Sequence, residues 1–447
     1  MRIELPVKVQ QIINRITKAG YEAYAVGGCI RDSILGRMPD DWDITTSATP
    51  QQVKQLFTRT VDTGIKHGTV TVLLEKEGFE VTTYRIDGKY EDGRHPTEVT
   101  FTPNLEEDLK RRDFTMNALA YNQEAGLVDL FGGKEDMEKG IIRCVGNPME
   151  RFTEDALRMM RAIRFAAQLG YEIEENTREA ICRLAPNLRQ ISAERIQVEL
   201  TKLVVSAHPE AIRTICETGV AAVVLPELMN VMEISKATGE HILRSMKEVL
   251  PRKELRLAML FHEIAIPQCY RADEGKEKPS GNCALVSADM AKSILRRLRY
   301  DNDTINTVYR LVLYHTYGED ILPDRRMVRW AMNKIGEDLF PMLFEVKRAD
   351  VLAGDVKCRE EKLKWLSAWE QLYEEILKRQ ECVSLKTLAL TGRDLIELGM
   401  KPGKELGETL NRLLELVLDQ PQLNTRENLI QWLPSIEDRF MNAQSDK

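Results

Sequence analysis

The sequence predicts an α+β protein, with a head of mixed sheet and helices followed by an all-helical remainder. Three observations carry this. Strand-type runs, apolar or alternating, fall at 23–26, 69–74, 80–85 and 128–133, all in the first third. Beyond about residue 225 the chain reads as almost all helix. At 447 residues it is too long for one ordinary core, so about two to four domains are expected. A hydrophobic content of 43% with 30% charged residues describes a globular chain, and no apolar run approaches the length of a membrane span. The N-terminus, Met-Arg-Ile-Glu-Leu-Pro, lacks a signal-peptide apolar region. Eight cysteines are scattered without a C-x-x-C pair, which argues against a disulfide framework or zinc site and fits a reducing cytoplasm. The net charge of −7 excludes a wholly basic nucleic-acid binder but leaves room for a local basic groove.

In chain order, Val7, Ile12, Ile13 and Ile16 recur at helical spacing and Gly20 closes a lead-in helix. Ala23 to Val26 reads as a buried strand, Gly27-Gly28 as a turn, and Ile30 to Leu35 as a helix. Small residues let a backbone approach a ligand closely, and a helix N-terminus offers unpaired N–H groups to an anion. Arg31 adds charge at the same spot. Strand alternation through Asp41-Trp42-Asp43 puts the two carboxylates on one face, where they repel unless a cation sits between them. Oxygen ligands with phosphate nearby suggest Mg²⁺. Gly-Gly alone would be only a turn; joined to Arg31-Asp32 and Asp-x-Asp it points to a site.

Thr49-Pro50 opens a helix running through Phe57. Of the next strands, the second carries Glu80, which is either a third active-site carboxylate or a solvated edge residue. Residues 86–97 form a polar loop. Asn104 with Glu107 resembles a capping box ahead of Lys110-Arg111-Arg112-Asp113-Phe114-Thr115-Met116-Asn117. Val128 to Gly133 reads as the last strand and turn of the head. Thr153 is expected to cap a helix that Gly170 ends, with Asp155, Arg158, Arg161 and Arg164 on one drifting stripe. Three arginines among apolar residues argue for a bound polyanion rather than surface ion pairs.

Gly27-Gly28-x-x-Arg31-Asp32 with Asp41-x-Asp43 resembles the signature of the class II tRNA nucleotidyltransferases, which include CCA-adding enzymes and bacterial poly(A) polymerases. The blocks at 110–117, 153–164 and 192–200 and the stretch from Leu388 extend the resemblance over nearly the whole chain. It implies a polymerase-β-like nucleotidyltransferase head over 1–145, and a neck carrying the base template and RNA-binding region over 146–225. A helical body over 226–385 and a tRNA-binding tail over 386–447 complete the expected order. It implies that Gly28, Arg31 and Arg112 contact the nucleotide's phosphates, that Asp113 and Asn117 organise its sugar, and that Glu154-Asp155-x-x-Arg158 selects the base. Ser192 to Leu200 resembles the motif that props that helix. In the family, the position of 86–97 holds a flexible loop that helps switch from adding C to adding A; CC-only relatives have it shortened.

His241, His262-Glu263 and His315 resemble the metal-binding HD phosphohydrolase module, but Glu263 stands where that module has Asp, and Gly281-Asn282 where Gly-His is usual. Such changes weaken a transition-metal site, so the body is expected to be a degenerate, structural HD-like fold. Arg296-Arg297-Leu298-Arg299 and Arg325-Arg326-x-x-Arg329 are either solvated helix faces or patches meeting RNA phosphate. Leu388 onward resembles the family's tail, and residues after about 437 are expected to fray.

The expected chemistry follows from the residues. Asp41 and Asp43 holding two Mg²⁺ ions suit in-line attack of an RNA 3′-hydroxyl on a nucleotide α-phosphate. Adenine and cytosine present an exocyclic amino donor where guanine and uracil present a carbonyl. A carboxylate at Asp155 accepts from the former and repels the latter, and Arg158 donates to the neighbouring ring acceptor. The expected protein is a cytoplasmic enzyme that adds CCA to the tRNA 3′ end from CTP and ATP. The rivals are an A-adding or CC-adding member, a poly(A) polymerase, or an HD-type phosphohydrolase.

Overall fold

The computed structural model of the chain describes residues 2–88, 98–272, 283–319 and 321–433. Most of the 86–97 loop, Gly281-Asn282 and the chain end beyond 433 lie outside the described residues. Two compact units are present: Met1–Ile234 with Arg296–Tyr300, and Ser235–Leu295 with Asp301–Lys447.

The first unit begins with α1 (Val7–Lys18), whose Val9, Ile12, Ile13 and Ile16 are buried. Next come β1 (Ala23–Val26), α2 (Gly28–Ile34), β2 (Ile44–Thr46) and α3 (Pro50–Leu56). The Thr49 side chain caps α3 in a full capping box with Gln52. β3 (Thr60–Gly64), β4 (Thr69–Leu74) and β5 (Glu77–Thr83) follow, then β6 (Arg85–Asp87), β7 (Val99–Phe101) and α4 (Leu105–Lys110). β8 (Leu119–Asn122) and β9 (Gly126–Asp129) complete a seven-stranded sheet in the order β3-β4-β5-β2-β1-β8-β9. The β2–β5 pairing is parallel and the other neighbours are antiparallel, so the head sheet is mixed. Beneath the end of β1, Val26 packs with Leu109, Ala118, Ala120 and Val145. This apolar cluster ties the Gly-Gly turn to the segment that carries Arg112.

α5 (Gly133–Lys139) and β10 (Ile141–Ile142) follow the sheet, and the neck contains α6 (Pro148–Glu154), α7 (Leu157–Leu169), β11 (Glu172–Ile173), α8 (Glu175–Leu184) and α9 (Ala193–Val204). The expected single helix from Thr153 is two helices. Asn147, not Thr153, caps α6, and the Thr153 hydroxyl instead donates back to the Met149 carbonyl at 2.7 Å. Asp155 breaks the run with extended backbone, φ −140° and ψ 102°. It is therefore not on the α7 stripe.

The second unit is helical among its described residues. α10 (Arg213–Glu217), α11 (Ala221–Val224) and α12 (Pro226–Ile234) end the neck, and α13 (Lys236–Lys247), α14 (Lys253–Phe261) and α15 (Ile266–Ala272) open the second unit. α16 (Cys283–Arg297), α17 (Asn302–Tyr314), α18 (Arg325–Ile335), α19 (Phe340–Ala353) and α20 (Val356–Lys378) follow. Every residue from Leu255 to Phe261 of α14 is buried, so this helix is the centre of that unit's core. α21 (Gly392–Glu397) and α22 (Lys404–Asp419) close the described chain. Cys269 and Cys283 are joined by a disulfide, which the cysteine spacing did not anticipate. No described helix is long and apolar enough to cross a membrane.

The second arginine cluster is committed to internal pairing. Arg325 pairs with Glu375, Arg326 with Asp419, and buried Arg329 with Glu381 and the Leu418 carbonyl. In the first cluster, Arg297 pairs with Glu227 and donates to the Val224 carbonyl.

Candidate active site

Asp41 and Asp43 stand in the segment entering β2, just ahead of its first ladder residue, and both are exposed. The Val26 N–H donates to the Asp43 carbonyl at 3.0 Å, so the acidic pair is pinned beside the Gly-Gly turn. The parallel register pairs Ile44 with Val81, which sets Glu80 level with Asp43 on the adjacent strand. Enough protein surrounds Asp43 that burial raises its carboxyl above the usual range; Arg112 opposes this and Asp41 adds to it. Glu80 is raised by burial and by the nearness of Asp43 and Asp41. Three carboxylates that feel one another, with a single guanidinium in partial compensation, are a donor set that fits divalent cations. Sequence spacing left Glu80 open; the register assigns it to this cluster.

The Gly-Gly turn is a steric requirement. Gly27 has φ +86°, and a Cβ there would lie 3.0 Å from the Arg112 Nη1 atom. At Gly28 a Cβ would stand 3.6 Å from Arg31 Nη2. The absent side chains leave space in which two guanidiniums flank the turn. Arg112 is anchored weakly, 3.5 Å from the fully buried Asp108, and its Nε is buried without a partner.

From Arg31 a continuous polar chain runs to α7. Arg31 grips Asp32 through two bonds of 2.9 and 2.8 Å and donates to Asn117 Oδ1 at 2.8 Å. Asn117 donates to Asp113 Oδ1 at 3.0 Å, and Asp113 Oδ2 accepts from Arg161 Nε at 2.8 Å. Burial works to raise the Asp113 carboxyl, yet Arg161 and Asn117 together hold it well below the usual range. Phe165 lies under three guanidiniums: Arg164 at 4.0 Å, Arg31 at 5.0 Å and Arg161 at 5.5 Å from its ring centre. Each of the three is also paired with a carboxylate, Arg31 with Asp32, Arg161 with Asp113 and Arg164 with Glu199, so the cluster gathers guanidinium donors without an excess of charge.

The two expected base readers are not a pair with each other. Arg158 is buried, donates to Glu154 at 2.7 Å and to the Arg111 carbonyl at 3.0 Å. Asp155 accepts from Arg195 of α9 at 2.8 Å and from the Leu157 N–H at 3.0 Å. Glu199 of α9 pairs with Arg164 at 3.2 Å, both nearly buried, and desolvation lowers Arg164 to about 10. The Ser192–Leu200 motif thus holds α7 through Glu199 and the break before α7 through Arg195, a residue that the sequence reading did not single out.

Comparison with known proteins gives three matched regions. They are the "Poly A polymerase head domain" over residues 23–143, the "Probable RNA and SrmB- binding site of polymerase A" over 170–232, and tRNA nucleotidyltransferase domain 2 over 282–433. The chain is 35% identical over 436 residues to the CCA-adding enzyme of Lactobacillus helveticus, covering 96% of this chain and 97% of that protein. It is 55% identical over 202 residues to that of Leuconostoc mesenteroides, a match spanning 45% of this chain and half of the relative's length. The crystal structure of the Bacillus stearothermophilus CCA-adding enzyme in complex with CTP superposes with a TM-score of 0.74 at 30% identity, covering all of both chains.

Proposed function

Because the chain belongs to the CCA-adding enzyme family of tRNA nucleotidyltransferases, we propose that it builds or repairs the 3′-terminal CCA of tRNA, in the cytoplasm, from CTP and ATP with release of pyrophosphate. The observation that carries this reading is the unbroken contact chain from the Gly-Gly turn through Asn117 and Asp113 to Arg161. It links the helix after the Gly-Gly turn to α7, and this supports a nucleotide held between the acidic centre and the arginines of α7.

In this reading Asp41 and Asp43 hold Mg²⁺, with Glu80 beside them. Two such cations, when bound, supply charge stabilisation for in-line attack of the RNA 3′-hydroxyl on the α-phosphate. Gly28, Arg31 and Arg112 receive the triphosphate, and the open Gly-Gly backbone lets it approach. Asp113 and Asn117 orient the sugar. Asp155 accepts a hydrogen bond from the amino group of cytosine or adenine, and Arg158 donates to the ring acceptor once it exchanges Glu154 for the base. Arg161 and Arg164 add positive charge along α7. That the related Bacillus stearothermophilus CCA-adding enzyme is in complex with CTP supports CTP as a substrate.

The test incubates purified protein and Mg²⁺ with tRNAs lacking A, CA or CCA, supplying each nucleotide separately. Stepwise C, C and A addition that then stops is the expected result. C without A, A without C, or an extended A run would instead assign the rival members of the family.

A further inference from the structure

Phe165 stands where three parts of the first unit meet. Arg31 reaches it from the last turn of α2, Arg161 and Arg164 from α7, and Phe114 from the block that carries Asp113 and Asn117. The three guanidinium carbons lie over its ring at 4.0 Å for Arg164, 5.0 Å for Arg31 and 5.5 Å for Arg161. Phe114 is fully buried and meets the same ring edge-on at 5.8 Å, with the planes 83° apart. The Phe114 N–H donates to Asp113 Oδ1 at 2.9 Å, and Arg161 holds the other oxygen of that carboxylate. Part of this follows from the sequence. Arg161 lies one turn before Phe165, and helix residues four apart share a face. Arg31 is brought in by the fold.

Ion pairing alone does not account for the gathering. Asp32 grips Arg31, Asp113 grips Arg161 and Glu199 grips Arg164, so each carboxylate fixes its own arginine. Nothing in those pairs draws the three together, and like charges oppose it. Arg164 is lowered to about 10, first by burial, with Arg161 and Arg31 pushing the same way and Glu199 resisting. Its Nε is buried without a hydrogen-bond partner. An aromatic face offers such a cation a negative surface that needs no N–H group. The guanidinium is planar and its five N–H donors radiate from its edge. An arginine held by its face therefore keeps edge donors for oxygen ligands. A further carboxylate in place of the ring would consume those donors and cancel the charge.

We propose that Phe165 is a positioning residue for nucleotide addition, its ring face holding Arg31, Arg161 and Arg164 together so that their edges meet one triphosphate. This rests on the reading that those arginines serve the phosphates. Phe165 acts through them and touches no reacting atom. A triphosphate is common to every nucleotide, so the ring sets how tightly a nucleotide is held and not which one is chosen.

The test puts fluorinated phenylalanines, from one fluorine to five, at position 165 of the full chain. Fluorine draws electrons off the ring face and at five reverses its sign, while the shape changes little. KM for CTP and for ATP should rise together along the series, by about 2- to 30-fold at pentafluorophenylalanine, with kcat and nucleotide selectivity nearly unchanged. Phe165→Leu keeps apolar bulk without a ring and should show the same split; if it does not fold, the fluorinated chains still decide, with thermal melting to check their fold. A ring that serves only the core predicts a flat KM along the series, whatever the melting temperature does, and that result overturns the inference. A loss confined to kcat, or a change in selectivity, overturns it too. Arg161→Ala is measured alongside. If it raises KM while the fluorinated chains do not, the phosphate reading stands and Phe165 alone loses its role. If it leaves KM unchanged, the phosphate reading falls and this inference falls with it.

Discussion

Replacing Asp155 should change which nucleotide is added, and the structure sets the size of the effect. The carboxylate is aimed by Arg195 at 2.8 Å and by the Leu157 N–H at 3.0 Å, with the Asp155 side chain 15% exposed. Loss of a bidentate base-edge contact costs about 1–3 kcal/mol of discrimination. At about 1.4 kcal/mol per tenfold, selectivity for CTP and ATP over UTP and GTP should fall about 5- to 150-fold in Asp155→Ala. Arg195→Met keeps the carboxylate but frees its aim, so it should lower kcat/KM for CTP and ATP with a smaller loss of selectivity. If the Asp155–Arg195 pair serves only to join the break before α7 to α9, both variants lose about 1–3 kcal/mol of stability and leave the ratios alone. The assay is kcat/KM for ATP, CTP, GTP and UTP on matched tRNA ends, alongside denaturant unfolding. Unchanged ratios in Asp155→Ala would refute the assignment.

Asp41→Ala and Asp43→Ala should each abolish addition yet bind tRNA nearly normally in a filter or mobility assay, since phosphate contacts carry RNA affinity. Arg161→Ala should raise KM for CTP and ATP by the same factor, because a phosphate carries no base identity; a nucleotide-specific effect would make it a base reader. Arg164→Met strands the buried Glu199 and should cost about 3–5 kcal/mol in urea unfolding, whereas a loss under about 1 kcal/mol would mean the pair is not shielded. Burial and the neighbouring carboxylates raise Asp43 and Glu80, so their protons persist to higher pH and a protonated carboxyl holds no cation. Addition at limiting Mg²⁺ should therefore fall on acidification with a midpoint above the usual value of about 4, and more Mg²⁺ should move that midpoint down. A midpoint indifferent to Mg²⁺ would remove these carboxyls from the metal site.

The parts of the site that lie close in sequence were legible. Glycine at 27, the acidic pair and the Lys110–Asn117 block each carry a local pattern, periodicity and apolar runs recovered α1, β1 and β4, and the Thr49-Pro50 cap recovered α3. What depends on register or on distant helices was not. Glu80 becomes a neighbour of Asp43 only through the β2–β5 ladder, and Asp350 reaches His241 across 109 residues. The helix expected from Thr153 divides because Asp155 leaves helical geometry, although Asn147-Pro148 offers the better start. Arginine-rich helices are ambiguous for a similar reason. Arg325, Arg326 and Arg329 look like Arg158, Arg161 and Arg164 in spacing, but their partners come from α20 and α22 and the stretches beyond them.

The break at Asp155 separates two kinds of variation. In a straight helix each residue advances the side-chain direction by about 100°, so any insertion or deletion would swing every contact beyond it together. Here Asp155 is aimed by α9 and by its own extended backbone, whereas Arg158, Arg161 and Arg164 are indexed by α7. On the proposed roles, a change at Arg195 of α9 would retune the letter that is read without disturbing the grip on the phosphates. On the same proposed roles, changes at Arg161 and Arg164 of α7 would alter that grip without rewriting the letter, whereas Arg158 couples the two. The interruption makes the neck modular at the scale of a single residue.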